Sequence, residues 1–451
     1  MPRFEKPPSY QQVFKHAMAK GVDFWTRIRT TEANRLVLEA NEKGWNWKEC
    51  RYRAGQAKLA PDDFWAMVKF SRQTERKSTP ILDVRGRPFT YRLPPIAHET
   101  LHLVDKQMAG TIGALSPQLD DEGSRRRFLI RSLREEAISS AIYEGAHTTR
   151  DAAREMIRSN RDPKTEGERM VWNNFQTIQF LNNCKNDALT EILLLDVQRK
   201  LTDQTLKKPD AAGRYRLPDE DISVVDDRTG ERVHTPVAAH ELPVRMRKLC
   251  EYANQTERTG EFVHPVIRAI LLHFWLAYDH PFYDGNGRTA RALFYWSMLK
   301  QGYWMTEFLS ISTVIAGQSI QYSHAFMDTE RDENDLTYFI LYHLRVIERS
   351  IREFTEYLEE KQKEAAGPAR SFLERYNPRQ RAILMRALEQ PATIFTFQSH
   401  AGSHGIQLAT ARADLLELEK LKLLKGNRKG RRFEFVPAPD IHERLKKLSA
   451  Q

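Results

Sequence analysis

The sequence predicts a mainly α-helical protein: a helical bundle broken by one β-hairpin, followed by a small basic module. Three observations predict it. From about Pro94 to Lys363, apolar residues recur at helical spacing. Arg214–Pro236 interrupts this pattern with two β-forming runs, Ile222–Val225 and Glu231–His234, around an Asp-Asp-Arg-Thr-Gly turn. The charge is uneven: from Ala369 to the end, 16 Lys/Arg stand against 8 Asp/Glu, which is most of the formal net charge of +10.

The elements follow in chain order. With 451 residues, 41% hydrophobic and 29% charged, the chain has the composition of an ordinary globular protein of two or three domains. Residues 1–92 read as a mixed N-terminal region of unassigned role, with a helix over Phe24–Asn41 and a hairpin over Thr79–Leu93. The start carries no apolar signal core and no apolar run is long enough to span a bilayer, so the expectation is a cytoplasmic protein with no membrane partner. Cys50, Cys184 and Cys250 lie far apart, match no metal or redox spacing, and read as buried reduced thiols. Ala365–Pro368 reads as the linker to the basic module.

The chemistry is concentrated in His280-Pro-Phe-Tyr-Asp-Gly-Asn-Gly-Arg-Thr-Ala-Arg291. Apolar helical stretches flank it, Pro265–Tyr278 and Arg288–Gln301, and Pro281 stops the first. Gly285 and Gly287 let the backbone turn tightly and approach a ligand. The turn opens a helix, whose free N–H groups favour an anion. Arg288 and Arg291 share one helical face and reach phosphate oxygens. Asp284 is a hard oxygen ligand suited to Mg²⁺ beside phosphate, and His280 has the chemistry of a proton acceptor near neutral pH. The bland alternative is a core histidine followed by a helix-capping turn.

That stretch matches every fixed position of the Fic family motif, His-x-Phe-x-[Asp/Glu]-Gly-Asn-Gly-Arg-x-x-Arg, and the chain resembles a Fic protein over about residues 95–360. The resemblance implies a Fic-type helical bundle over 93–365 that transfers AMP from ATP, with Mg²⁺, to a Tyr, Thr or Ser hydroxyl of a protein, itself included. His280 would be the base. Asp284 would bind Mg²⁺ bridging the α- and β-phosphates, Gly285, Asn286, Gly287 and Arg288 would hold the phosphates, and Arg291 the γ-phosphate. Residues 214–236 look like the family's flap, with Ile222, Ser223, Val224 and Val225 pairing with a target as an added strand. Tyr322 is expected to line the nucleotide pocket.

Upstream, Ser140-Ala-Ile-Tyr-Glu144-Gly145 fits the family's inhibitory pattern, [Ser/Thr]-x-x-x-Glu-[Gly/Asn]. Read by itself, Arg125–Tyr143 is an amphipathic helix stopped by Gly145, with Glu144 at its solvated end. The resemblance makes 125–145 an inhibitory helix and Glu144 the residue that pairs with Arg291 in the resting enzyme. Two departures keep the transferred group open. Ala292-Leu-Phe-Tyr295 replaces the Leu-Leu-Met-Asn of many relatives, and Thr329–Asp335 lacks the Asn of their Ala-Asn-x-Gly-Asp segment. UMP or phosphocholine transfer is therefore the alternative to AMP transfer.

His98-Glu-Thr-Leu-His102 spells a zinc-protease signature, with Glu122 downstream as a third ligand, but two solvated or packed histidines are the simpler reading. In the C-terminal module, helices are expected over Pro378–Glu389, Thr396–Ala401 and Leu408–Leu421, the last with Leu415, Leu416, Leu418 and Leu421 inward, before a basic hairpin from Leu423 to Phe435. This order resembles a winged helix-turn-helix domain over 369–451, with DNA or another protein as partner. A DNA-binding regulator whose core only senses nucleotide is the alternative from another class, and a homodimer is open.

Overall fold

The computed structural model describes residues 5–27, 30–110, 122–225, 230, 232–255, 262–373, 376–389, 393–429, 432–441 and 443–445. The chain divides into two compact units, Met1–Phe354 and Thr355–Gln451.

The first unit opens with five helices, α1 (Tyr10–Lys20), α2 (Val22–Arg27), α3 (Thr31–Lys43), α4 (Trp47–Arg53) and α5 (Pro61–Gln73). The expected Phe24–Asn41 helix is two helices, because Thr30 N-caps the second by accepting from Ala33 N–H. Trp45, Trp47, Phe64 and Trp65 fill a core of their own here. A hairpin follows, β1 (Lys77–Leu82) with β2 (Pro88–Tyr91). Thr90 N–H donates to the Asn334 carbonyl and Leu336 N–H to the Thr90 carbonyl. Lys69, 1% exposed, reaches Asp332 at 2.6 Å and Glu333 at 2.7 Å. Residues 1–92 thus pack into the same unit as the bundle, and the segment compared above with the relatives' Asn-containing loop is tied to them.

The bundle comprises α6 (Pro95–Met108), α7 (Glu122–Tyr143), α8 (Arg150–Ser159), α9 (Glu166–Asn183), α10 (Glu191–Leu201), α11 (Leu242–Ala253), α12 (Pro265–Asp279), α13 (Asn286–Lys300), α14 (Ile311–Gly317), α15 (Ser319–Arg331) and α16 (Thr337–Leu373). The hairpin of β3 (Val224–Val225) and β4 (Arg232–His234) lies between α10 and α11. α12 is mostly apolar, with Arg268, His273 and Asp279 as buried exceptions, and is buried along almost its whole length, packing most extensively on α13. α7 packs on α9 and α14 through Leu133, Ala137, Ile138 and Ala141. The linker expected at Ala365–Pro368 is instead inside α16, since the Glu-, Lys- and Ala-rich run before it favours helix.

The second unit orders helix α17 (Pro378–Glu389), strand β5 (Phe395–Thr396), helices α18 (Phe397–His404) and α19 (Leu408–Lys420), and strands β6 (Leu424–Lys429) and β7 (Arg432–Pro437). The strands form one antiparallel sheet in the order β5-β7-β6, of which β5 had no sequence signal. Leu384, Leu415, Leu418 and Phe435 make its core. Leu416 and Leu421 are exposed, contrary to expectation, because a helix packed on one face turns them outward. Lys425 and Arg428 are exposed on β6; Arg431 and the side chains of Lys429 and Arg432 lie outside the described residues.

Candidate active site

The site is built on the turn from α12 to α13. His280 closes α12 in the left-handed region, φ 47°, with its N–H on the Leu276 carbonyl. Its Nδ1 lies 3.3 Å from the Ala277 carbonyl. A carbonyl only accepts, so Nδ1 carries the proton and Nε2 keeps its lone pair. Burial pushes the His280 pKa down to about 4, outweighing the Ala277 contact that raises it. At neutral pH the imidazole is therefore uncharged and in proton-accepting form.

The motif loop is held from both sides. The Asn286 side chain accepts from Phe282 N–H and donates to the Phe282 carbonyl, each at 2.9 Å. Asn286 thus staples the loop here, where the family motif implied a phosphate ligand. Gly285 has φ 82°, and a Cβ there would stand 2.7 Å from Thr202 Cγ2, so glycine is required twice over. Gln198, fully buried on α10, donates to the Asp284 carbonyl at 3.0 Å and accepts from Gly213 N–H. Arg288 donates to the Leu201 carbonyl at 3.0 Å and lies 3.4 Å from Asp284 Oδ2. Its buried Nε has no partner among the described residues.

Arg291 is nearly enclosed, 2% exposed, and α7 supplies its partners. Nε donates to Ser140 Oγ at 3.0 Å, and Nη2 to the Ser140 carbonyl at 3.2 Å and Glu144 Oε1 at 3.0 Å. Burial is the largest influence and works against the Arg291 charge, but Glu144, Tyr322 and Glu136 together outweigh it and raise the pKa. Nη1 is buried without a partner among the described residues. A Cβ on Gly287, in the first turn of α13, would collide with Glu144 Oε1 and stand 3.0 Å from Oε2. Ser140 and Glu144 therefore meet Arg291 and the start of α13, across 151 and 147 positions of sequence.

The hairpin lies beside His280 and is shorter than expected. Val224 pairs with His234 and Val225 with Arg232, whereas Ile222 and Ser223 precede the strand; residues 226–229 and Glu231 lie outside the described residues. The register shift between the two pairs and the turn at Ile222, whose N–H bonds the Glu220 carbonyl, stop the strand there. Arg216 ties this segment to the base: its N–H donates to the Pro281 carbonyl and its Nε to the His280 carbonyl, both at 2.9 Å, and Nη2 reaches the Val237 carbonyl. At the far end, His234 contacts the Tyr278 carbonyl and Glu330. Gln198, Arg216 and His234 carried no sequence signal, because each acts through a partner far along the chain.

Tyr322 is 7% exposed, bonded to His273 Nε2 at 2.9 Å and edge-on to Tyr143, so it stands behind Arg291 within the core. His98 and His102 are exposed on α6, and no cluster of three metal-ligating side chains exists among the described residues. Of the three thiols, Cys50 and Cys250 are buried and Cys184 only partly. No helix among the described residues is long and apolar enough to cross a membrane.

Residues 188–298, which contain α10, the hairpin, α12 and the motif turn, match the family described as Fic/DOC. The chain carries a Fic domain. A protein adenylyltransferase Fic of Nematostella vectensis is 29% identical over 131 residues, 28% of this chain and 28% of that protein. One of Drosophila willistoni is 37% identical over 70 residues, 16% of this chain and 14% of that protein. These matches span less than a third of either relative's own length. Among solved structures, a point variant of a Fic-1 fragment from C. elegans aligns with a TM-score of 0.50 at 15% identity, over 79% of this chain and 90% of that one. The helical frame around the Fic domain is thus of the same fold.

Proposed function

We propose that the chain is a protein adenylyltransferase, moving AMP from ATP to a Tyr, Thr or Ser hydroxyl of a protein, and that Glu144 holds it at rest. The observation that carries this reading is the neutral His280, its Nε2 unprotonated, beside a helix start whose Arg288 and Arg291 each keep a buried donor that is unpaired among the described residues. Unpaired buried guanidinium N–H groups are costly unless an anion completes them. A triphosphate would do so. The names of the relatives support adenylyl transfer over other groups.

In this mechanism His280 Nε2 takes the proton of the target hydroxyl as its oxygen attacks the α-phosphorus. The bond to the β-bridging oxygen breaks and pyrophosphate leaves. Asp284 is half exposed, with one oxygen on Gly285 N–H and the other only loosely near Arg288, so it retains lone pairs toward solvent. That suits Mg²⁺, which keeps few protein ligands and several waters or phosphate oxygens. When bound there, the ion would neutralise phosphate charge. The N–H groups at the start of α13 and Arg288 would stabilise the charge that develops. β3 would pair with a target segment by strand addition.

In the second unit, the helix order with the β6–β7 hairpin supports a winged helix-turn-helix that binds duplex DNA through Lys425 and Arg428. The deciding experiment for the enzyme is incubation of the purified chain with Mg²⁺ and α-labelled ATP, UTP or choline-labelled CDP-choline, followed by mass spectrometry. Label from ATP on a hydroxyl side chain is expected. Transfer from another donor alone, or none even after Glu144→Gly, rejects adenylyl transfer.

A further inference from the structure

We propose that His234 is a positioning residue that latches the hairpin to both α15 and the end of the base-bearing helix, and that it makes both contacts only while its imidazole is doubly protonated. Nε2 lies 2.7 Å from the Tyr278 carbonyl and Nδ1 3.0 Å from Glu330 Oε2. Both partners are acceptors. A neutral imidazole has one donor and one lone pair, so it satisfies one contact and opposes its lone pair to an oxygen at the other. The imidazolium satisfies both.

Two further features favour the charged ring. Tyr278 is in the last turn of α12, where carbonyls lack intrahelical partners and the helix end is partially negative. The same ring lies 4.7 Å, centroid to centroid, from that of Tyr278. The charged and titratable groups around it are Glu330 from α15, Tyr278 and Asp279 from α12, and His280 beyond. Burial alone would lower the His234 pKa, but the Glu330 hydrogen bond and charge, with the Tyr278 carbonyl, raise it above its ordinary value. The side chain is only 9% exposed, so solvent offers little substitute for a lost contact.

The consequence concerns the strand and the base together. His234 ends β4, which pairs with Val224, and its ring caps the carbonyl next to the one that His280 Nδ1 uses. Two histidines thus cap neighbouring carbonyls of one helix end, one neutral and one charged. Deprotonating His234 leaves it one of the two contacts and weakens the hold on the hairpin at that end, while Arg216 still holds the other. For a group whose folded pKa is raised, the stabilisation is full below about pH 6.5 and is lost as pH rises through the folded value. Docking of a target on the hairpin, under the function proposed above, weakens over the same interval.

The latch is measurable without turnover. In the full chain, NMR titration of the His234 ring reads its midpoint, and amide protection factors of Val224, Val225 and Arg232–His234 read the hairpin. We expect a midpoint above 6.5 and protection that falls as the proton leaves. Glu330→Gln keeps an acceptor but removes the charge, and is expected to move the midpoint down by about one pH unit. His234→Gln is expected to make protection independent of pH. A midpoint at or below 6.5, or hairpin protection that ignores the titration, overturns the latch, as does a Glu330→Gln midpoint equal to the parent's. If the latch titrates as described yet no nucleotide is transferred at any pH, the adenylyl-transfer reading falls and the latch stands.

Discussion

The carboxylate of Glu144 occupies the space over Gly287 at the N-terminus of α13, and the same carboxylate bonds Arg291 at 3.0 Å. A resident anion therefore fills the position where a helix start attracts phosphate. Glu144→Gly is expected to raise self-labelling from ATP by a factor on the order of a hundred, the scale on which a misplaced reacting group is penalised. Arg291→Ala on that background should lower it again. Both comparisons need equal amounts of folded protein, since losing the pair costs about 1–3 kcal/mol. Unchanged labelling in folded Glu144→Gly returns Glu144 to an ordinary helix-end residue.

Gly287→Ala separates release of Glu144 from room for phosphate. The added Cβ must displace the carboxylate, so the Arg291 contact is lost as in Glu144→Gly. The Cβ then takes the space itself. The expected outcome is a weakened hold of Glu144 with ATP affinity below that of Glu144→Gly, read by calorimetric titration of both variants. Equal ATP affinity in the two would place the phosphates elsewhere.

His280→Ala should end transfer while leaving ATP binding nearly intact, because the imidazole makes no contact that holds the loop beyond its own cap. Asn286→Ala should do something different. It leaves Phe282 N–H and carbonyl unpaired in a buried turn, so it should lower the melting temperature as well as transfer, at a cost of about 1–3 kcal/mol per unpaired group. Thermal melts and nucleotide titrations of the two variants check this contrast. A melting temperature for Asn286→Ala equal to that of the parent would return its amide to the ligand role that the motif implied.

The motif residues were legible in the sequence because they sit within twelve consecutive positions on one turn. So were α12, α13 and α17, whose apolar spacing or caps are local. What surrounds the motif was not. Gln198, Arg216 and His234 act across 86, 64 and 44 positions, and no spacing announces such contacts. The role of Asn286 was hidden for another reason: its amide can face a ligand or its own loop, and composition does not choose. The same holds for Ala365–Pro368, where glycine and proline suggest a break but flanking helix formers carry α16 through.

Acid should loosen this protein through three histidines that burial keeps neutral. His273, His280 and His343 are neutral and have lowered pKa values, His280 to about 4 and His343 to about 3, all chiefly through burial. Unfolded, they bind protons near pH 6.5; folded, they do so only at lower pH. The stability tied to these three groups is therefore full above about pH 6.5 and declines as pH falls below it, by about 1.4 kcal/mol per pH unit for each group. His273 and His343 have ring centroids 4.7 Å apart, so charging both is doubly opposed. His343→Leu should reduce the slope of stability against pH between about 4.5 and 6.5, measured by urea unfolding. An unchanged slope would mean that His343 is already protonated in the folded state.

The C-terminal unit gives the last prediction. Lys425 and Arg428 are exposed on β6 and carry no ion pair among the described residues, whereas Arg379 is held by Asp414 inside the unit at 2.8 Å. Charges not neutralised by an internal carboxylate are the ones available to phosphates, although Arg428 also lies over the Phe433 ring. If the hairpin lies on duplex DNA, each such side chain releases condensed counterions, and the logarithm of the binding constant falls with the logarithm of salt concentration by about 0.9 per phosphate contact. Replacing both Lys425 and Arg428 by Ala in the full chain should therefore flatten that slope by about two. Replacing Arg379 by Ala should leave the slope unchanged and lower only stability, because its charge is already spent on Asp414. A nonspecific attraction of the whole basic chain predicts otherwise: any two exposed cations would then flatten the slope equally. Fluorescence anisotropy of a labelled duplex across a salt series distinguishes these outcomes, with Lys207 and Lys248 of the first unit as the control pair. Equal slopes for the two double variants, or no binding at low salt, would make the unit a protein-interaction module whose basic hairpin is solvated surface.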